Sequence, residues 1–443
     1  MSFGRSLPEI RTRVPGPRSV ALVERLARTE CPALTMRRAR RAEASGASTD
    51  PIVYAAALGA NVRDVDDNVY VDLCAGFSVA AVGHAHPRVQ DALRAQTGTL
   101  IHALGDVFPS DTKIALLEAL VEWVPFEARV ILGLNGADAL AAALKTAVLA
   151  TGRPGVLAFS PGYHGLMYGP LALCGFSDDF RAPFAEQLNP HVRFARYPLV
   201  ERELDASLAE VDAILDDPRA RIGAVVVEPA LGRGGLRFAP PGFMAALRAR
   251  ADRAGALLVV DEIFTGFGRT GARWACPDEV VPDLVCAGKA LGGGMPISAC
   301  FGKAEVMAAW GQPDQIPIHT ATFAGHPLGC AAALASLQVI EDEGLVARAA
   351  EEGAALSASL RHRVGEHPCV RDVRGRGLMI GVELRDGRAA LRTVARLLER
   401  GYLVLASGPT GAVLQITPPL TIDRALLDAF VDVLPEVLDA EAM

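Results

Sequence analysis

The residues of this chain best suited to chemistry are an acid and an amine, each at the end of a short apolar run. In LLVVDEIFTGFGRTG four apolar residues (257–260) lead into Asp261 and Glu262, and a second run (284–287) ends in Gly288 and Lys289. Apolar runs this short, without polar alternation, suit strands buried on both faces of a parallel sheet. Open α/β sheets bind ligands beyond the carboxyl ends of their strands, where both groups would stand. A carboxylate there is costly unless a cation or hydrogen bonds meet it. A lysine there loses basicity and becomes a usable imine-forming nucleophile. An ion pair between Asp261 and Lys289 is the plain alternative.

Two more stretches reach the same edge. The run 130–132 enters NGADALAAALKTA (135–147), a glycine turn followed by a helix with Leu140, Leu144 and Val148 on one face. A helix start after such a turn offers unpaired N–H groups and a positive dipole end, which suit a phosphate; a simple βα turn would read the same way. Asp138 would repel a phosphate it faced, so it is expected to point aside. SPGYHG (160–165) brings Tyr163 and His164 past the strand 155–159. Alone, Tyr163 reads as packing; beside a phosphate cradle it could stack on a flat ring. Anion clamp, stacking face, acid and amine are together the parts that pyridoxal 5′-phosphate requires.

Nucleotide and metal chemistry fit less well. GLNGADA is not GxGxxG, and AGKA (287–290) lacks both the upstream glycine and the Ser/Thr of a phosphate-binding loop. His84 and His86 have no acidic or cysteine partner at ligand spacing, so no metal is expected. The 443 residues are 51% hydrophobic and 21% charged, which supports a folded chain of more than one domain. A net charge of −7 without runs of like charge argues against nucleic acid and anionic membranes as partners. Eight scattered cysteines without CxxC spacing read as reduced thiols. With no apolar leader or membrane-length run, the expected compartment is the cytoplasm.

The elements that must position these residues alternate from about 112 to 305. Strand candidates at 130–132, 155–159, 224–227, 257–260 and 284–287 are separated by helices that include 137–150 and 242–253, the signature of βαβ units. Before them lie an arm with a helix near 20–27, a polar stretch ending SGASTDP, and a hairpin in NVRDVDDNVYVDL. After them come helices at 328–340 and 345–361, a strand at 378–384, a helix near 389–400, the hairpin YLVLASGPTGAVLQI and a last helix from 423. The division expected is an N-terminal arm with part of a small domain (1–75), a large cofactor-binding domain (76–330) and a C-terminal small domain (331–443).

At DLCAGFSVAAVGHAHP, NGADA, YHG, VVVEPALGRGG, DEIFTGFGRTG, GKALGGGMP, TFAGHP, VRGRGLMIGVEL and ITPPL the chain resembles the class III pyridoxal phosphate-dependent aminotransferases, from about residue 15 to 435. That group includes ornithine, 4-aminobutyrate and ω-amine transaminases. The resemblance implies an α/β, fold type I transferase with a mostly parallel central sheet in a large domain and a smaller α+β domain, working as a homodimer with shared active sites. It implies that Lys289 is the Schiff-base lysine and Asp261 the partner of the pyridine nitrogen. Tyr163 would stack on one ring face and Ile263 pack on the other. Gly136 and Ala137 would give backbone N–H groups to the phosphate, Thr322 would reach it from the other subunit, and Glu228 would join the network near the ring.

Departures from the family bear on substrate more than on class. Many members carry a hydroxyl where this chain has Ala137, and a glutamine, a contact to the ring's 3′ oxygen, where it has Phe264. An arginine follows YHG in ornithine and 4-aminobutyrate types; here it is Leu166. Another precedes PPL; here Gln415 stands. The glutamate that shields that arginine is replaced by Arg233. Neutral side chains do not reproduce bidentate arginine recognition, so Arg233 either holds a carboxylate from another direction or lies on the surface. The expected activity is amino transfer from an amine or ω-amino donor to a small 2-oxo acid or aldehyde. An isomerase (racemase, epimerase or aminomutase) on the same fold is the alternative, a lyase a weaker one, and a binding protein without chemistry the rival from another class.

Overall fold

The computed structural model describes residues 3–46, 51–311 and 318–442; part of the polar stretch expected before residue 51 lies outside them. The chain forms two compact units, each discontinuous in sequence: Pro87–Phe267 with Ala272–Glu343, and Met1–His86 with Gly268–Gly271 and Gly344–Met443.

The first of these is built on a seven-stranded sheet. In chain order its strands are β1 (Ala128–Gly133), β2 (Gly155–Ser160), β3 (Val192–Arg196), β4 (Ile222–Val227), β5 (Leu257–Asp261), β6 (Leu284–Ala287) and β7 (Ser298–Lys303). The spatial order is β1-β7-β6-β5-β4-β2-β3. β5 runs parallel to both β4 and β6, and β2 to both β4 and β3; β7 is antiparallel to each of its neighbours. The carboxyl ends of β1, β2, β4, β5 and β6 therefore share one edge.

Successive strand residues point to opposite faces, which is why the apolar runs do not alternate. Leu157, Phe159, Val225, Val227, Leu258 and Val260 pack with Phe243, Leu247 and Ala251 of the helix Phe243–Ala254. Val156, Ala158, Ala224, Val226 and Val259 pack with Leu140, Ala143 and Ala147 of the helix Gly136–Thr151. Each fully buried Val or Leu contributes about 1.5–3 kcal/mol, so both faces must be covered. Both helices end where a left-handed glycine follows, Gly255 (φ 58°) and Gly152 (φ 65°). Two strands of this sheet lay outside the sequence reading. β3, VRFAR, is a half-exposed edge, and β7, SACFGK, is rich in small residues of low strand propensity; pairing on both sides makes it a strand.

The other unit holds two four-stranded sheets. The expected hairpin forms between Asn61–Asp64 and Val69–Asp72, and Asp64 closes its turn by accepting N–H bonds from Asp66 and Asn68, each at 2.9 Å. Tyr402–Leu403 joins this sheet parallel to Val69–Asp72, which ties the two ends of the chain into one body. The second sheet is antiparallel throughout, Val370–Arg376, Met379–Leu384, Val413–Ile416 and Leu405–Ser407; the helices Leu345–Val364 and Gly387–Glu399 pack on it, and Arg424–Ala442 packs against those two helices.

Candidate active site

The strand ends of the seven-stranded sheet bring the chemistry together. Asp261 closes β5, and its Oδ2 lies 2.7 Å from His164 Nδ1 in the loop after β2, with both side chains buried. Its Oδ1 accepts the Ile263 N–H at 3.1 Å. The close side-chain partner of Asp261 is therefore His164 rather than Lys289. Burial opposes a charge on His164, but the hydrogen bond and charge of Asp261, with that of Glu228, outweigh it and raise its pKa. Glu228, just past β4, spans two loops: Oε1 accepts the Tyr163 N–H at 2.8 Å and Oε2 the Gly232 N–H at 2.9 Å. Burial pushes its carboxyl up, and Asp261 adds to this while His164 and the two N–H donors oppose it.

Lys289 follows β6 with a positive φ of 39°. A non-glycine residue held in this left-handed region marks a position that the surrounding structure imposes. Its Nζ lies 4.3 Å from the ring centroid of Phe264. Burial lowers its pKa to about 8; the charges of Asp261 and Glu228 work against that, and Arg233 works with it.

At the end of β1 the glycine turn is as compact as the sequence suggests. Asn135 caps the helix Gly136–Thr151, accepting the Asp138 N–H at 3.2 Å. Asp138 Oδ2 turns back to accept the Leu134 N–H at 2.8 Å, so its charge points aside as expected. A Cβ on Gly136 would come 2.7 Å from Ile263 Cδ1, so a larger residue there would displace the Ile263 side chain. Ala137 is buried and packs against Gly165. The Gly136 and Ala137 N–H groups begin the helix and have no intrahelical acceptor. Ser298 Oγ is buried without a hydrogen-bond partner, 2.8 Å from where a Cβ on Gly133 would stand. Unspent donors at a helix start, beside a flat-faced tyrosine, an acid and an amine, fit pyridoxal phosphate.

Arg233 is half-buried, with its guanidinium 4.5, 5.3 and 5.4 Å from the ring centroids of Tyr163, Phe176 and Phe180. Leu166 is 48% exposed and Thr322 is exposed on the loop before the helix Pro327–Asp342. Gln415 belongs to the other unit, buried on Val413–Ile416 with Nε2 3.4 Å from Thr417 Oγ1. Sequence reasoning left His164 without a role, yet a buried acid at a strand end calls for a donor, and His164 stood on the adjacent loop. Phe176, Phe180 and Ser298 gave no such signal. Glu262 has a structural role: it accepts N–H bonds from Cys276 (2.7 Å) and Ala275 (3.1 Å) and the Thr265 hydroxyl, pinning the following loop. Among the described residues no group of three or more His, Cys, Asp or Glu could hold a metal, and no helix is long and apolar enough to cross a membrane.

Comparison with known proteins agrees with this geometry. Residues 43–438 match the family described as aminotransferase class-III. Acetylornithine aminotransferase of Mycobacterium tuberculosis is 39% identical over 403 residues, 88% of this chain and 92% of the relative. 5-aminovalerate aminotransferase of Pseudomonas aeruginosa is 36% identical over 403 residues, 88% and 94% of the two chains. An amine transaminase from an uncultivated Pseudomonas species, solved with pyridoxal phosphate bound, aligns with a TM-score of 0.80 at 29% identity, covering 88% of this chain and 95% of that one. These relatives favour amino transfer over the isomerase alternative. The chain belongs to the class-III aminotransferases and is a pyridoxal phosphate-dependent transaminase of fold type I.

Proposed function

We propose that this enzyme moves an amino group from a terminal amine or ω-amino donor to a 2-oxo acid or aldehyde, with Lys289 as both the cofactor-binding amine and the proton carrier. The observation that carries this is the amine of Lys289, held at a strained position, with its pKa lowered to about 8 beside Asp261 and Glu228. When bound, pyridoxal phosphate supplies an electron sink for the charge left when a donor loses its α-proton. At pH 7 an amine of that basicity keeps about a tenth of its free base, enough to take that proton at Nζ and return it. Asp261, oriented by His164 and the Ile263 N–H, would accept the ring's N–H. The Gly136 and Ala137 N–H groups and the Ser298 hydroxyl would hold the phosphate. Tyr163 and Ile263 would cover the two ring faces, and Glu228 keeps the Tyr163 loop in place.

Thr322 would serve the neighbouring subunit of a homodimer; exposed Ile101, Leu104, Val107, Phe108 and Phe323 in the same unit suit such an interface. Seven buried free thiols and one exposed suit the reducing cytoplasm. The 5-aminovalerate relative supports a donor whose amine is remote from its carboxylate. Arg233 is the cation within reach of Lys289 that would receive such a carboxylate, in place of the arginines absent at 166 and 415. A panel of neutral amines, diamines and ω-amino acids, read by loss of the cofactor's visible absorption in wild type, Lys289→Ala and Arg233→Ala, tests the donor class and the roles of Lys289 and Arg233 together. Lys289→Ala should lose transfer by at least about 10³-fold. Arg233→Ala should raise KM about 10–100-fold for carboxylate-bearing donors alone. If no donor bleaches the absorption, the functional reading fails; if KM rises equally for neutral amines, Arg233 has no part in binding a carboxylate.

A further inference from the structure

We propose that Phe264 is a positioning residue for Lys289, its ring face holding the ammonium form of the amine between proton capture and proton release. This rests on the reading of Lys289 as the proton carrier. The Lys289 Nζ stands 4.3 Å from the Phe264 centroid, well within the roughly 6 Å over which a ring quadrupole attracts a cation. Both partners are anchored. Lys289 starts from a strained backbone at φ 39°. The Phe264 ring closes against Gly232, where a Cβ would come 2.8 Å from Phe264 Cγ, and Gly232 is tied to Glu228 through its N–H. The turn that carries Phe264 is closed by the Gly266 N–H on the Glu262 carbonyl at 2.9 Å.

The charges of Asp261 and Glu228 also favour the ammonium, but the oxygens of both are already bonded elsewhere. Asp261 is engaged by His164 and the Ile263 N–H, Glu228 by two backbone N–H groups, and Arg233 carries the same sign as the ammonium. A glutamine at position 264, common in the family that this chain resembles, would bind either form of the amine through its amide. A phenyl ring attracts the cation more strongly than the neutral amine, whose N–H contact with the ring is weak. When Lys289 takes a proton from a donor carbon, the C–H bond breaks, an N–H bond forms and the electron pair stays behind. The new ammonium then has a place to rest that competes with neither Asp261 nor the cradle, and it returns the proton from there.

The test uses the full-length chain, freed of cofactor and offered pyridoxal phosphate across pH 6 to 10. The rate of capture is read by visible absorption, because only the free-base amine attacks the aldehyde. In Phe264→Leu, which keeps an apolar side chain but removes the quadrupole, the midpoint of the rate profile should fall by about 0.4 to 1.5 pH units. Phe264→Tyr should keep the wild-type midpoint, and far-ultraviolet circular dichroism confirms that each variant is folded. An unmoved midpoint in Phe264→Leu, or an equal shift in Phe264→Tyr, overturns the proposal. Capture that persists unchanged in Lys289→Ala would instead overturn the role of Lys289, so the two failures are distinguishable.

Discussion

Asp261 and Glu262 are adjacent acids with opposite tasks. Asp261 ends its strand facing the site, while Glu262 points the other way and is spent on the loop 265–276. Burial pushes the Glu262 carboxyl up to about 7 from 4.5, against the hydrogen bonds from Thr265, Cys276 and Ala275. The native state therefore holds a proton that the unfolded chain releases between about pH 4.5 and 7. Stability from this group is fully present below that window and is lost as pH rises through it. A shift of this size amounts to ~3 kcal/mol. Glutamine keeps an acceptor without titrating, so the stability advantage of wild type over Glu262→Gln should shrink by ~3 kcal/mol from pH 4.5 to 7.5 in urea unfolding. A constant difference would show that Glu262 does not titrate in this range. The chain order Asp-Glu was legible, but which acid faced the site depended on strand parity, and only Asp261 has the parity of the site-facing side.

At the scale of elements, the helix Arg424–Ala442 is fastened to Gly387–Glu399 by one residue near its end. The side chain of Glu441 is only 1% exposed; it meets Arg392 Nη2 at 2.6 Å and also pairs with Arg396, one helical turn further on. Arg385 Nη2 donates to the Glu441 carbonyl at 2.8 Å. Breaking a buried pair costs about 3–5 kcal/mol when the remaining charge is stranded. Arg392 and Arg396 keep 27% and 36% of their side-chain surface, so water recovers part of that. Glu441→Ala should cost ~2 kcal/mol in urea unfolding, with Glu441→Gln intermediate; no loss would mean that the helix holds by its apolar face alone. Periodicity reveals the helix but not this fastening, because DAEAM reads as a fraying polar end. The strand β7 escaped for a related reason: its residues do not favour a strand until two neighbours supply the hydrogen bonds.

At the scale of the whole molecule, the chain crosses between its two units more often than its apolar pattern suggests. Gly268–Gly271 belongs with the N- and C-terminal residues. There Arg269 is buried and donates from Nη1 to the carbonyls of Leu378 (2.9 Å) and Pro418 (2.6 Å), and burial lowers its pKa to about 9. The residues proposed to hold the cofactor, by contrast, all lie in the unit of the seven-stranded sheet. Anything that binds the native state and not the unfolded one stabilises it by mass action, ~2.7 kcal/mol at a hundredfold excess over Kd. Saturating pyridoxal phosphate should therefore raise the thermal midpoint of wild type by several degrees, and that of Lys289→Ala by clearly less. Equal shifts in both would mean that attachment through Lys289 adds nothing to cofactor binding.

The sequence by itself determined which residues stand at strand ends. Short apolar runs and glycine punctuation are local properties, and they put Gly136, Tyr163, Asp261 and Lys289 on one sheet edge. Only the tertiary structure decided what those residues touch. His164 and Asp261 are 97 positions apart, and Arg233 meets three rings drawn from a different loop. Strand order and register set such pairings, and both depend on how the whole sheet buries its faces rather than on any one segment's preference.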